Sequence, residues 1–347
     1  MRPRYFISFV VVCAMACFAA SPNVSAATSE PSNVPSGPQT ARKLVSAFDT
    51  LFAGPRPGQR AVHATGILIE GTFTPSPSAS ALSSAPHFAA PVPVLVRFSN
   101  FPGDPSVEDG DEAASPRGMA IKFVVPDGGD TDIVAHSYNG FPARTPEAFL
   151  AFLQAVASPN RATRETYLAT HQEARIFVEA PKPAPVSYAT ENFFGVNAFR
   201  FTNAAGLSRF GRYRLEPVAG LAHLTASQAA WAPADFLARE LSDRMKAGPA
   251  EFRLLVQVAG PNDDINDGSV AWPFGRETIK AGIIRLTRLS TDSEEQQRAL
   301  LFTPLNLTRG IAPSADPMLV ARTRTYRISY DRRQNQVSTT GKVPARN

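Results

Sequence analysis

The sequence predicts an α+β fold built on an antiparallel sheet or closed β-barrel, with helices interspersed among the strands and one near the C-terminus. Three observations lead there. Apolar runs of strand length recur along the chain, and 31 prolines among 347 residues point to many turns rather than a helical bundle. Helix signals interrupt the strand pattern and return at the end of the chain. No Gly-rich strand–turn–helix fingerprint supports a doubly wound parallel sheet. With 44% apolar residues the chain can bury a sizeable core, as one large β-rich domain or two smaller ones.

The first 26 residues are excluded from the fold. Arg2 and Arg4 precede an apolar run, Phe6 to Ala20, and Val24-Ser25-Ala26 offers a cleavage site before Ala27. This reads as a secretory signal peptide, which predicts a periplasmic protein. A lipid anchor at Cys17 is an alternative, although Ala14 stands where such a signal carries Leu. Cys13 and Cys17 are the two cysteines, so the expected mature chain has none. That excludes disulfides, thiolate catalysis, iron–sulfur clusters and Cys-zinc sites. Loss of Arg2 and Arg4 lowers the net charge from +5 to +3. The basic residues form no stripe with aromatics, which argues against a nucleic-acid partner.

Residues 27–40 read as a Pro-rich linker, and Ala41 to Phe52 as an amphipathic helix ended by Gly54-Pro55. Strands are expected over His63–Phe73, Val92–Phe98 and Gly118–Val125, then over Phe199–Asn203 and Ser208–Leu215 joined by a turn at Gly206. Phe252–Ala259 and Thr278–Leu289 add two more. Thr145 reads as the N-cap of a helix with Pro146 at its first position, running to Ala157. Further helices are expected over Ala234–Ala247 and within Pro313–Tyr330. The domain is expected over residues 41–335, with 336–347 as a tail.

Five histidines are present, His63, His87, His136, His171 and His223, and none forms an HxxxH, HxH or HExxH pair. A histidine zinc site is therefore not indicated. Neither a Gly-x-Ser-x-Gly elbow nor a Walker sequence occurs. His63 stands out by its company, at the start of a strand and close behind Arg60. If that strand pairs with Val96-Arg97-Phe98-Ser99, Ser99 can bond one ring nitrogen of His63 and leave the other aimed at a cavity. In the late helix, Arg322 and Tyr326 fall one turn apart on one face. A guanidinium beside a phenol favours the phenolate, a hard ligand for ferric iron. Taken alone, the segment reads rather as a core tyrosine with the arginines on a solvated face.

Together these segments resemble the haem catalase superfamily, and within it the small exported catalase-related peroxidases. Arg60-Ala61-Val62-His63-Ala64-Thr65-Gly66 resembles the distal-histidine strand, and Val96-Arg97-Phe98-Ser99 the strand that supplies a supporting serine. Ser115-Pro116-Arg117-Gly118-Met119-Ala120-Ile121-Lys122-Phe123 resembles the family's Pro-Arg-Gly strand. Asp132-Ile133-Val134 with Phe141, Pro146 and Phe149 continues the match, and Asn197 to Gly206 resembles a barrel hairpin. Trp272-Pro273, Phe302-Thr303-Pro304, Asp316 and Arg322 to Tyr326 complete it across about residues 42–335.

The resemblance implies a closed antiparallel barrel with surrounding helices and a proximal helix that carries the haem ligand. It implies haem, of the b type, with Tyr326 on the iron and Arg322 stabilising the phenolate. It implies His63 as the distal acid–base, Ser99 as its partner, and Arg60, Arg97 and Arg333 as propionate ligands. Val62, Phe149 and Phe141 are the matching apolar residues near the distal side. The chain departs from the large catalases where they carry a distal asparagine, a place occupied here by His136, and Ser115 replaces an acidic channel residue. Loss of that asparagine disfavours fast dismutation. The expected activity is a peroxidase that reduces hydrogen peroxide with an organic donor and retains weak catalase activity. The wrapping arm and C-terminal domain of the tetrameric enzymes have no counterpart, which predicts a monomer or dimer. Two other readings stay open: a haem enzyme acting on organic or fatty-acid hydroperoxides, and a non-enzymatic haem-binding barrel.

Overall fold

The computed structural model describes residues 37–126, 129–290 and 293–340. The expected signal peptide and most of the expected linker lie outside the described residues.

Eight strands close an antiparallel barrel: β1 (Gly66–Pro75), β2 (Val92–Ser99), β3 (Gly118–Val124), β4 (Asp130–His136), β5 (Phe193–Phe194), β7 (Ser208–Pro217), β8 (Ala250–Val258) and β9 (Thr278–Leu289). Each pairs with the next, and β9 returns to β1. The intervening β6 (Phe199–Thr202) pairs with the first half of β7, and β10 (Ile311–Pro313) adds to β6 outside the ring. Gly206, in the left-handed region at φ +81°, makes the β6–β7 turn that the sequence signalled.

The strands close this way because their side chains alternate. Val92, Val94, Val96 and Phe98 of β2, Met119, Ile121 and Phe123 of β3, and Phe252, Leu254 and Val256 of β8 all point into one core inside the ring. The alternate positions face outward. On β2 these include Arg97 and Ser99, which are nevertheless buried. What covers them is a helical layer with a second core.

That layer is α1 (Pro38–Leu51), α3 (Pro146–Ala157) and α9 (Pro317–Thr340). Leu44, Val45 and Phe48 of α1 meet Phe149, Phe152 and Leu153 of α3 and Met318 of α9. Thr145 caps α3 by accepting from the Ala148 N–H at 3.2 Å. Asp316 does the same for α9, with Oδ1 accepting from the Met318 N–H at 2.8 Å. The remaining helices are α2 (Pro77–Leu82), α4 (Arg161–Thr170), α5 (Gln172–Glu179), α6 (Ala226–Trp231), α7 (Phe236–Ala247) and α8 (Ser293–Ala299).

Two helix boundaries differ from expectation. Pro38 starts α1 three residues before Ala41, because proline is well suited to a first helical position whose N–H has no partner. Helix α9 runs on to Thr340, through residues assigned to a tail. His63 also differs. It lies three residues before the start of β1 rather than opening it, and its backbone is left-handed at φ +57°.

Candidate active site

The outer face of the barrel aligns one row of residues across four strands. Gly66 pairs with Ser99, Ser99 with Gly118, and Gly118 with His136. Residues opposite each other in adjacent strands project to the same side, so this row faces the helical layer. His63 lies across it. Its N–H bonds the Phe101 carbonyl at 2.8 Å, and its ring stands edge-on to Phe101. Its Nδ1 lies 3.0 Å from Ser99 Oγ. A Cβ added to Gly118 would fall 2.6 Å from Ser99 Oγ and 2.9 Å from the imidazole. Only glycine leaves the ring room to lie there.

The Ser99 bond fixes the imidazole plane, and Nε2 makes no hydrogen bond among the described residues. Burial, with Arg97 second and Arg60 and Arg322 further behind, pushes His63 down to about 3. The ring is therefore neutral at neutral pH and can accept a proton at one nitrogen.

A second wall is α9. Arg322 Nε donates to the Tyr326 hydroxyl at 3.1 Å, one helical turn away. Arg322 Nη1 donates to Asn197 Oδ1, and Asn197 Nδ2 donates to Asp316 Oδ2 at 2.7 Å. The guanidinium is thus steered by a chain that begins at the helix cap. The α9 wall is tied to the His63 loop directly, since the Ala61 N–H donates to Ser329 Oγ at 3.1 Å.

Arg60, Arg97 and Arg333 form a third group. Arg97 and Arg333 are buried and Arg60 half-buried. Arg60 and Arg333 both donate to the Leu300 carbonyl, at 2.9 and 2.5 Å. Arg97 donates to Gln297 Oε1 at 2.7 Å and to the Ala64 carbonyl at 3.2 Å. Among the described residues none of the three forms an ion pair with a carboxylate. Burial, then Arg97 and Arg333, hold Arg60 well below its usual value.

Val62, Phe141 and Phe149 supply apolar surface between the walls. Phe141 lies 4.6 Å from Phe149 and 6.3 Å from His136, centroid to centroid, and lines a small gap with Arg322 and Met318. Val62 is half-buried against the second core. The fold thus brings every candidate residue to one region. Sequence reasoning missed the steering role of Asn197 and Asp316. Both lie in the matched motifs, but the link between them spans 119 residues and carries no local signal.

An antiparallel ring with its reactive face outward under helices is the catalase-type barrel. A solved fungal catalase matches this fold at TM-score 0.72 and 22% identity, over 80% of this chain and 60% of that one. Residues 43–339 match the family described as Catalase, and the chain belongs to that family. It is 40% identical over 284 residues to a catalase-related peroxidase of Mycolicibacterium paratuberculosis, covering 80% of this chain and 89% of that protein. It is 30% identical over 305 residues to a catalase-related peroxidase of Synechococcus elongatus, covering 85% and 88%.

The site fits the haem that the family implies. Three clustered guanidiniums without a carboxylate partner suit a group that brings two carboxylates of its own. The Tyr326 oxygen is a hard donor suited to ferric iron. Val62, Phe141 and Phe149 offer the apolar contact a macrocycle requires.

Proposed function

We propose that the protein is a haem-dependent peroxidase that reduces hydrogen peroxide with a small organic donor and has weak catalase activity. As a member of the catalase family it is an oxidoreductase acting on peroxide. The observation that carries the finer reading is the neutral, serine-held His63 on the barrel face, within the electrostatic reach of the Arg322 that bonds Tyr326.

In this reading Tyr326 would hold the iron, and Arg60, Arg97 and Arg333 would bind the propionates. The bound haem, of the b type, supplies the metal and the electrons that cleave the O–O bond. The chain supplies position and proton control. His63 would take the proton from one peroxide oxygen and return it to the other, which leaves as water. Ser99 holds the imidazole so that one nitrogen faces the substrate throughout. Arg322 holds the phenolate through its Nε and is itself held by Asn197. The N-terminal segment, read as a signal peptide, directs the protein to the periplasm.

The test is peroxide-dependent oxidation of a phenolic dye by the haem-loaded protein, with oxygen release measured in parallel. His63→Ala should keep its haem and lose about 10²- to 10⁴-fold in rate, the usual contribution of a positioned acid–base. A His63→Ala protein with wild-type turnover would contradict the assignment.

A further inference from the structure

We propose that His136 is a second substrate-binding residue of the distal pocket, donating a hydrogen bond to the outer oxygen of the bound peroxide beside His63. The proposal rests on the peroxidase reading above and extends it to a residue that reading does not use.

Four observations carry it. His136 occupies the last position of the outward row formed by Gly66, Ser99 and Gly118, so its side chain shares a face with the serine that holds His63. Both its ring nitrogens are sealed from solvent, and neither has a hydrogen-bond partner among the described residues. Buried polar groups are almost always satisfied, and a histidine that served only to pack against Phe141 would leave that cost without return. Its backbone is clamped: the Ser137 N–H donates to the Arg117 carbonyl at 2.8 Å, and the Arg117 N–H donates to Ser137 Oγ at 2.9 Å. Finally, no group among the described residues holds its ring as Ser99 holds His63, so both nitrogens remain available to a ligand.

Burial above all, with Arg322, His63 and Lys182 behind it, keeps the His136 imidazole neutral. A neutral imidazole carries one N–H and one bare nitrogen. The N–H is donated to the peroxide, and the proton stays on His136. Proton transfer remains with His63. Two imidazoles thus hold the two ends of one small diatomic group.

The experiment uses the haem-loaded wild type, His136→Leu and His136→Gln, with cyanide as the probe. Cyanide on a haem iron accepts a hydrogen bond from a distal donor, so its Kd reads the donor without turnover. Thermal unfolding and haem content are recorded for each protein. His136→Leu should keep its haem and its melting temperature, bind cyanide about tenfold more weakly, and lose about 10- to 100-fold in peroxide reaction rate. His136→Gln restores a donor of similar reach and should recover part of both losses. If His136→Leu retains wild-type cyanide affinity and peroxide rate, or if His136→Gln behaves as the leucine variant does, the hydrogen-bonding role is overturned. Failure of the underlying reading is distinguishable, because the wild type would then take up no haem or consume no peroxide.

Discussion

Two sets of buried arginines differ in what surrounds them. Arg117 and Arg212 are embedded in groups of their own fold. Arg117 donates to Asn100 Oδ1 at 2.8 Å and to the Asp109 carbonyl at 2.6 Å, and Asp109 and Glu191 offset part of its burial. Arg212 donates to the carbonyls of Val270 and Asp267 and lies over Trp272, with four aspartates favouring its charge. Around Arg60, in contrast, the charges that act on it are Arg97 and Arg333. The first set has acidic groups of the chain around it, although the Nε of each arginine makes no hydrogen bond among the described residues. The second has its positive charges gathered, with Asp331 acting on Arg333 but no carboxylate among the described residues in an ion pair with any of the three, which suits a group that brings carboxylates of its own. Burial alone does not separate structure from function; the sign of the neighbouring charge does.

The sharpest way to break this comparison is to remove one member of each set. Arg117→Met leaves the Asp109 carbonyl without its guanidinium donor and Asn100 Oδ1 with the Tyr188 hydroxyl alone. Removing one partner from such a network costs about 3–5 kcal/mol, so the urea midpoint of the haem-free protein should fall steeply. Arg97→Met relieves like-charge repulsion while giving up hydrogen bonds to Gln297 and the Ala64 carbonyl. The haem-free protein should keep its stability within about 1 kcal/mol. Its haem affinity should fall about 10- to 100-fold, since a charge-assisted hydrogen bond contributes about 1.5–3 kcal/mol. Equal destabilisation by the two substitutions, with haem affinity intact in Arg97→Met, would erase the distinction.

The same contrast recurs among the histidines and gives a smaller effect. His87 is enclosed by Phe73, Phe88 and Phe123, and burial pushes it down to about 3. An unfolded histidine titrates near 6.5. Above that pH both states are neutral and His87 contributes its full share. As the pH falls below 6.5, the unfolded chain takes up the proton first, and stability drops by up to about 1.4 kcal/mol per pH unit until the folded group titrates near 3. His87→Phe should remove one proton's worth of that slope between pH 6 and 4, read from urea midpoints against pH, and leave peroxide turnover unchanged. An unaltered acid slope would show that His87 does not titrate in this way.

Much of the fold is legible because its signals are local. The Thr145-Pro146 cap, the Gly206 turn and the alternation of β9 each lie within a few residues, and each falls where the sequence points. The short β5 and β10, of two and three residues, carry too little pattern to read. The helices α4 and α5 are polar enough to escape notice, with Ala174 their one buried residue. For the site, residue types and order allowed each candidate to be named through a family resemblance. Geometry was less accessible. The left-handed turn at His63, the need for glycine at position 118, and the row that joins Ser99 to His136 all depend on strand register. Register is a pairing between distant segments, and no single window of sequence holds it.

The most direct test of the haem assignment is the visible absorption spectrum of the haem-loaded protein, compared with that of Tyr326→Phe. The structure puts the Tyr326 oxygen on Arg322 at 3.1 Å, on the helical wall of the site. The expected result is a high-spin ferric tyrosinate spectrum in the wild type that changes character in the variant. A protein that takes up no haem, or a spectrum indifferent to the substitution, would contradict the account.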